Sequence, residues 1–150
     1  MANTDSESNM DLVSGITAFE GKHFSTAARL LSPLAAEGDP EAQFRMAIMY
    51  QNGLGMVKND QSAFDNMKAA AEQDHALAMH GLGFMYMEGE CTEKDMPLAL
   101  EWFHKASDAG MQGSMTTLAM MYRDGNGVEQ NQDEANRLFK LAGFDPAEFN

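Results

Sequence analysis

The sequence predicts an all-α protein, a solenoid of about four helix pairs, and three observations carry that expectation. The only three tyrosines, Tyr50, Tyr86 and Tyr122, stand 36 residues apart. The same interval separates Gly53, Gly89 and Gly125, and also Ala63, Ala99 and Ala135. It recurs in Met46, Leu82, Leu118; Met49, Met85, Met121; Met67, Phe103, Phe139; and Ala70, Ala106, Ala142. A fixed period of this length is the signature of stacked supersecondary units, none of which can bury its apolar face alone. Within each copy the small or apolar columns fall at 42, 46, 49 and 50 and their images. Steps of three and four residues make a helical stripe, whereas a strand would alternate every second residue.

The elements follow in order. Residues 1–10 are polar and acidic and are expected to be a disordered tail. In the opening unit, 11–38, Ala27 lies 36 residues before Ala63 and Gly38 lies 36 before Asp74, which makes 24–37 a second helix. Ala18 and Gly21 stand only 32 residues before Tyr50 and Gly53, so its inter-helix loop is four residues shorter. The first helix should then end across Gly15 to Gly21. Units 39–74, 75–110 and 111–143 begin with helices over Pro40–Asn52, His75–Glu88 and Met111–Asp124. Glycine stops each of them, because it accepts the left-handed backbone of a C-terminal cap. Asn59, Asp95 and Asn131 then offer a side-chain oxygen to the free amides of a second helix. Those helices are expected over 60–73, 96–109 and 132–142, with Pro97 tolerated in a first turn. Residues 144–150 are too few for another pair and read as a cap in which Asp145-Pro146 starts a final turn. Residues 11–150 thus form a single repeat domain.

Composition bounds the function. At 150 residues and 16.4 kDa the chain suits one domain that needs no metal or disulfide staple. Ten Lys and Arg against 23 Asp and Glu give a net charge of -13. That excludes nonspecific nucleic-acid binding, which depends on basic residues displacing phosphate counterions, and disfavours anionic membranes. The lone Cys91 cannot form an internal disulfide. No signal-like or membrane-length apolar run occurs, so the expectation is a cytoplasmic monomer. The charge reads first as solubility, and second as steering toward a basic partner.

The spacing Ala78, Leu82, Gly83, Met85, Tyr86, Gly89, Asp95, Ala99, Trp102, Ala106 resembles the Sel1-like repeat, a relative of the tetratricopeptide repeat. A second copy reads Leu118, Met121, Tyr122, Gly125, Gly127, Val128, Asn131, Ala135, Phe139, Ala142. Cys91 replaces the second loop glycine of the middle copy, Asn66 stands in the Trp102 column, and Ala47 and Ala119 replace the helix glycine. The resemblance covers about residues 11–143. It implies a right-handed α/α superhelix and a scaffold or adaptor that binds other proteins.

The sequence carries none of the common catalytic or metal-binding motifs. No phosphate-cradling glycine loop, HExxH or GxSxG occurs. His75 and His80 are five residues apart, which points them to different sides of a helix, and with His23 and His104 they read as ordinary surface histidines rather than metal ligands. Asp124-Gly125-Asn126-Gly127 lacks the later ligands of a calcium loop and reads as a repeat loop. The fourteen methionines fall largely on packing columns and read as core filling rather than copper ligation. Cys91 lies beside Glu90 and Glu93, whose charges oppose thiolate formation. No cofactor and no metal site are expected.

The resemblance also implies that the first helix of each pair lines the concave side. Its positions there are Leu12, Ile16 and Phe19; Phe44, Ile48, Gln51 and Asn52; His80, Phe84, Met87 and Glu88; and Thr116, Met120 and Arg123. Apolar residues off the core columns mark an interaction surface suited to an amphipathic helix or extended peptide. The expected function is therefore non-catalytic binding of a protein or peptide in that groove. A small acidic inhibitor of a basic partner is the alternative. An enzyme is a further one, for which no coherent acid, base and nucleophile set is present.

Overall fold

Every regular element in the described residues of this computed structural model, 4–149, is helical. Eight α-helices follow one another: α1 Thr4–Glu20, α2 Phe24–Ala36, α3 Pro40–Asn52, α4 Asp60–Ala71, α5 Ala76–Glu88, α6 Met96–Asp108, α7 Gln112–Asp124 and α8 Gln132–Leu141. A 3-10 turn, Pro146–Phe149, closes the sequence. Helix α1 is described from Thr4 onward, so residues 4–10 are helical where disorder was expected; 1–3 lie outside the described residues. That stretch holds no glycine or proline to interrupt a helix. Pro33 sits inside α2 near its C-terminal end, at an exposed position. There the carbonyl that its missing N–H leaves free can face water.

The same backbone circuit closes the three loops α3–α4, α5–α6 and α7–α8, whereas in the α1–α2 turn Lys22 takes the left-handed position, φ 62°, and His23 makes no side-chain cap bond. Gly53, Gly89 and Gly125 adopt φ of 67°, 69° and 68°. The N–H groups of Asn59, Asp95 and Asn131 donate to the carbonyls of Tyr50, Tyr86 and Tyr122 at 2.9, 2.9 and 2.8 Å. Their side chains accept from the amides of Ser62, Leu98 and Glu134, each at 3.0 Å. Cap and tyrosine thus hold the loop from both ends.

The chain divides into two compact units, Met1–Ala78 and Met79–Asn150, of which α5 spans the boundary. In the first, α1 packs on α2, α2 on α3 and α3 on α4. Its core gathers Ala18, Ala27, Leu31, Leu34, Ala35, Ala42, Met46 and Met49. Gly15 lets Leu31 in close, since a Cβ there would lie 2.5 Å from Leu31 Cδ2. In the second, α6 packs on α7 and α7 on α8. Leu82, Met85, Phe103, Leu118, Met121, Leu138 and Phe139 are all at most 3% exposed. Each such side chain stabilises the fold by roughly 1.5–3 kcal/mol relative to exposure. Phe149 of the 3-10 turn stacks on Phe139, centroids 4.2 Å apart and planes 9° apart.

Candidate functional site

The periodic columns decide which side chains remain for a site. Along α3, Ala42, Met46 and Met49 are consumed by the core, and the intervening Phe44, Ile48 and Gln51 are left half-buried. Asn52 is exposed and donates its Nδ2 to the Ile48 carbonyl at 2.9 Å. On α1, Leu12 and Phe19 pack against the core of their own unit, and Ile16 is half-buried. Phe19 meets Phe24 edge-on at 5.7 Å.

A polar cluster at the start of α3 is not among the sequence expectations. Glu41 accepts a 2.6 Å bond from Arg45 Nη1 and lies 2.9 Å from His75 Nε2. The amide of Ala78 donates to His75 Nδ1 at 3.2 Å. An acceptor Nδ1 leaves the proton on Nε2 in the neutral ring, which then donates to Glu41. Burial raises the Glu41 pKa, but the Arg45 hydrogen bond, the charge that His75 carries when its ring is protonated and the charge of Arg45 outweigh it, so the net shift is downward. The His75 side chain is only 9% exposed and its ring stacks on Phe44 at 4.9 Å, so this histidine is a helix cap and packing element rather than a surface residue. A signal did exist: Glu41 and Arg45 are spaced four apart, the interval of a helical ion pair.

In the second unit α5 and α7 frame a cleft of about 180 Å³ lined by Phe84, Met87, Thr117, Met120, Met121, Asp124 and Asn126. Phe84, Met87 and Met120 are residues picked from the sequence, and Met120 is 38% exposed. Thr117 lines the cleft in place of Thr116, and its hydroxyl donates to the Gly113 carbonyl at 2.8 Å. The Thr116 hydroxyl bonds the Gln112 carbonyl at 3.1 Å. Met121, a core column, still reaches the cleft, and Asn126 enters from the loop that Gly125 turns. Glu88 is exposed near the end of α5. Arg123 is already engaged: Nε and Nη2 bond Asp124 at 2.8 and 3.1 Å, and Nη1 donates to the Phe149 carbonyl at 2.9 Å.

His80, also read as a surface residue, is half-buried behind this cleft. Its Nδ1 lies 2.6 Å from the hydroxyl of fully buried Ser114. Its ring meets Phe84 at 4.9 Å and Phe103 at 5.8 Å, both edge-on. Burial pushes its pKa down, which keeps the ring neutral at physiological pH. Phe84 also meets Phe103 at 5.0 Å, so one side of Phe84 belongs to the interior and only the other faces the cleft. Among the described residues no three His, Cys, Asp or Glu side chains converge as a metal would require.

Helix pairs repeated at a 36-residue period, with apolar first-helix positions outside the core, define a helical repeat protein. The Sel1 repeat model matches residues 40–75, 76–111 and 114–143, and the chain belongs to that family. A Sel1 repeat protein from Oxalobacter formigenes shares 28% identity at a TM-score of 0.83, over 89% of this chain and 53% of that one. A protective antigen from uropathogenic Escherichia coli that displays the same fold shares 26% at 0.86, over 93% and 31%. Chitin synthase regulatory factor 3 of Schizosaccharomyces pombe is 27% identical over 84% of this chain and 14% of its own length. The chain spans 14% of the length of that factor and 22% and 17% of two further curated relatives. Its fold is that of the Sel1-like solenoids, a family whose members are generally protein-interaction modules and typically non-catalytic. No helix among the described residues is long and apolar enough to cross a membrane.

Proposed function

We propose that this chain is a non-catalytic binding module that captures a protein or peptide segment on the first-helix positions that its core leaves uncovered. The observation that carries the reading is the cleft of the second unit. There the fold buries Leu82, Met85 and Leu118 almost completely yet leaves Phe84, Met87 and Met120 facing a hollow of about 180 Å³. Unspent apolar surface with a polar margin is what a partner side chain fills. Ile16, Phe44 and Ile48 offer the corresponding half-buried positions in the first unit, with Gln51 and Asn52 beside them. Two fungal relatives carry the names chitin synthase regulatory factor and chitin synthase regulator, and regulation of another protein agrees with an adaptor role. A cytoplasmic monomer belongs to the same proposal.

The test is site-specific crosslinking in the source cell, with a photoreactive residue at position 120. Specific protein adducts are expected, and Met87→Asp should remove them without changing the helical circular dichroism. Adducts that persist unchanged beside a folded Met87→Asp protein would refute the cleft as the binding site.

A further inference from the structure

Helix α1 presents a second surface, independent of the first-helix cleft. The 32-residue offset between the opening unit and the next aligns Met10, Ser14 and Thr17 with Ala42, Met46 and Met49. On α3 those three positions are 0%, 2% and 0% exposed and join the core formed with α1 and α2. On α1 the aligned positions are open: Met10 is 70% exposed, and Val13 on the same side is 64% exposed. Asn9, Met10, Val13 and Ser14 line a shallow depression there. The Thr17 hydroxyl donates to the Val13 carbonyl at 2.8 Å, so it asks nothing polar of an occupant. This is the register of a helix–helix seam.

The charge decides the occupant. At 100° per residue, Glu7 and Asp11 flank one side of the stripe and Glu20 the other, and α1 contains no Lys or Arg. A second copy laid against it would set like charges together, which is unfavourable. We propose that this face docks an amphipathic helix of a partner protein whose apolar stripe is bordered by Lys and Arg.

A synthetic 14-residue helix of leucines and lysines in amphipathic order serves as the probe, with its leucine and glutamate counterpart as control. Hydrogen exchange on the full chain should show protection confined to α1, and added salt should weaken binding. Met10→Glu with Val13→Glu should weaken it at least tenfold. The charge-matched pair Val57→Glu with Leu141→Glu, at positions 87% and 56% exposed, should change it less than twofold. Val13→Ser, milder still, should give a threefold loss and serves if the double variant is not folded. Protection elsewhere, equal losses in both pairs, or equal binding of the glutamate peptide overturns the proposal. So does a wild-type dimer in sedimentation that Met10→Glu with Val13→Glu dissociates, because the occupant is then a second copy.

Discussion

Gly83 offers a sharp test of the packing that shapes the cleft. A Cβ at this position would lie 2.7, 2.8 and 3.0 Å from three ring carbons of Phe103. Phe103 is fully buried, and its ring is met edge-on by His80 and Phe84, so it cannot step aside without moving the cleft wall. Overpacking of this kind costs about 1–3 kcal/mol. Glycine to alanine within a helix otherwise contributes about 1 kcal/mol of stability. The net expectation for Gly83→Ala is a loss of roughly 0–2 kcal/mol, opposite in sign to an unobstructed helical site. Gly113→Ala is the internal comparison, since its Cβ would meet His80 only at 3.4 Å, and it should not lose stability. Urea unfolding followed through the single Trp102, adjacent to Phe103 on α6, reads both. Phe103→Leu in combination should recover about 1 kcal/mol of the Gly83→Ala loss as a coupling energy. A Gly83→Ala protein stabilised by about 1 kcal/mol, with no coupling to Phe103, would refute the reasoning.

Three further outcomes are expected. Burial lowers the His80 pKa in the folded state, so the unfolded chain takes up its proton first. The stabilising contribution is whole above the ordinary histidine value near 6.5 and is lost as pH falls below it toward the folded value. Urea midpoints at pH 7.5 and 5.5 should therefore differ less in His80→Asn than in wild type. Asn131→Ala removes the side-chain bond to the Glu134 amide and should cost about 0.5–2 kcal/mol in the same assay, while Asn131→Asp keeps it. Nitrogen NMR should find His75 as the Nε2–H tautomer. Glu41→Ala should raise the population of the other tautomer and weaken the α5 cap, which helix-resolved hydrogen exchange at Ala78 detects.

The fold was legible because its punctuation is chemical as well as periodic. Asn59, Asp95 and Asn131 act as helix caps and Gly53, Gly89 and Gly125 as left-handed stops, roles that a residue type can announce without knowledge of its neighbours. Helix ends were less legible: α4 and α8 stop at Ala71 and Leu141, short of the 73 and 142 expected, since fraying depends on what covers the last turn. Cys91 shows where column reading works against expectation. It occupies the left-handed position of Gly55 and Gly127, φ 65° against 70° and 74°, so the loop imposes its backbone on a residue that does not favour it. At the site, Phe84, Met87 and Met120 were legible as apolar residues off the core columns. Asn126 and Thr117 were not, since loop placement and helix rotation set which of two adjacent threonines faces the cleft. Arg123 shows what a residue type leaves open: a free guanidinium on a groove edge and one tied to Asp124 and the Phe149 carbonyl have the same sequence signature. Polar partnerships across elements are the part that a repeat cannot encode. The Glu41, Arg45 and His75 cluster and the His80–Ser114 pair each occur once, on columns where the other copies carry different residues.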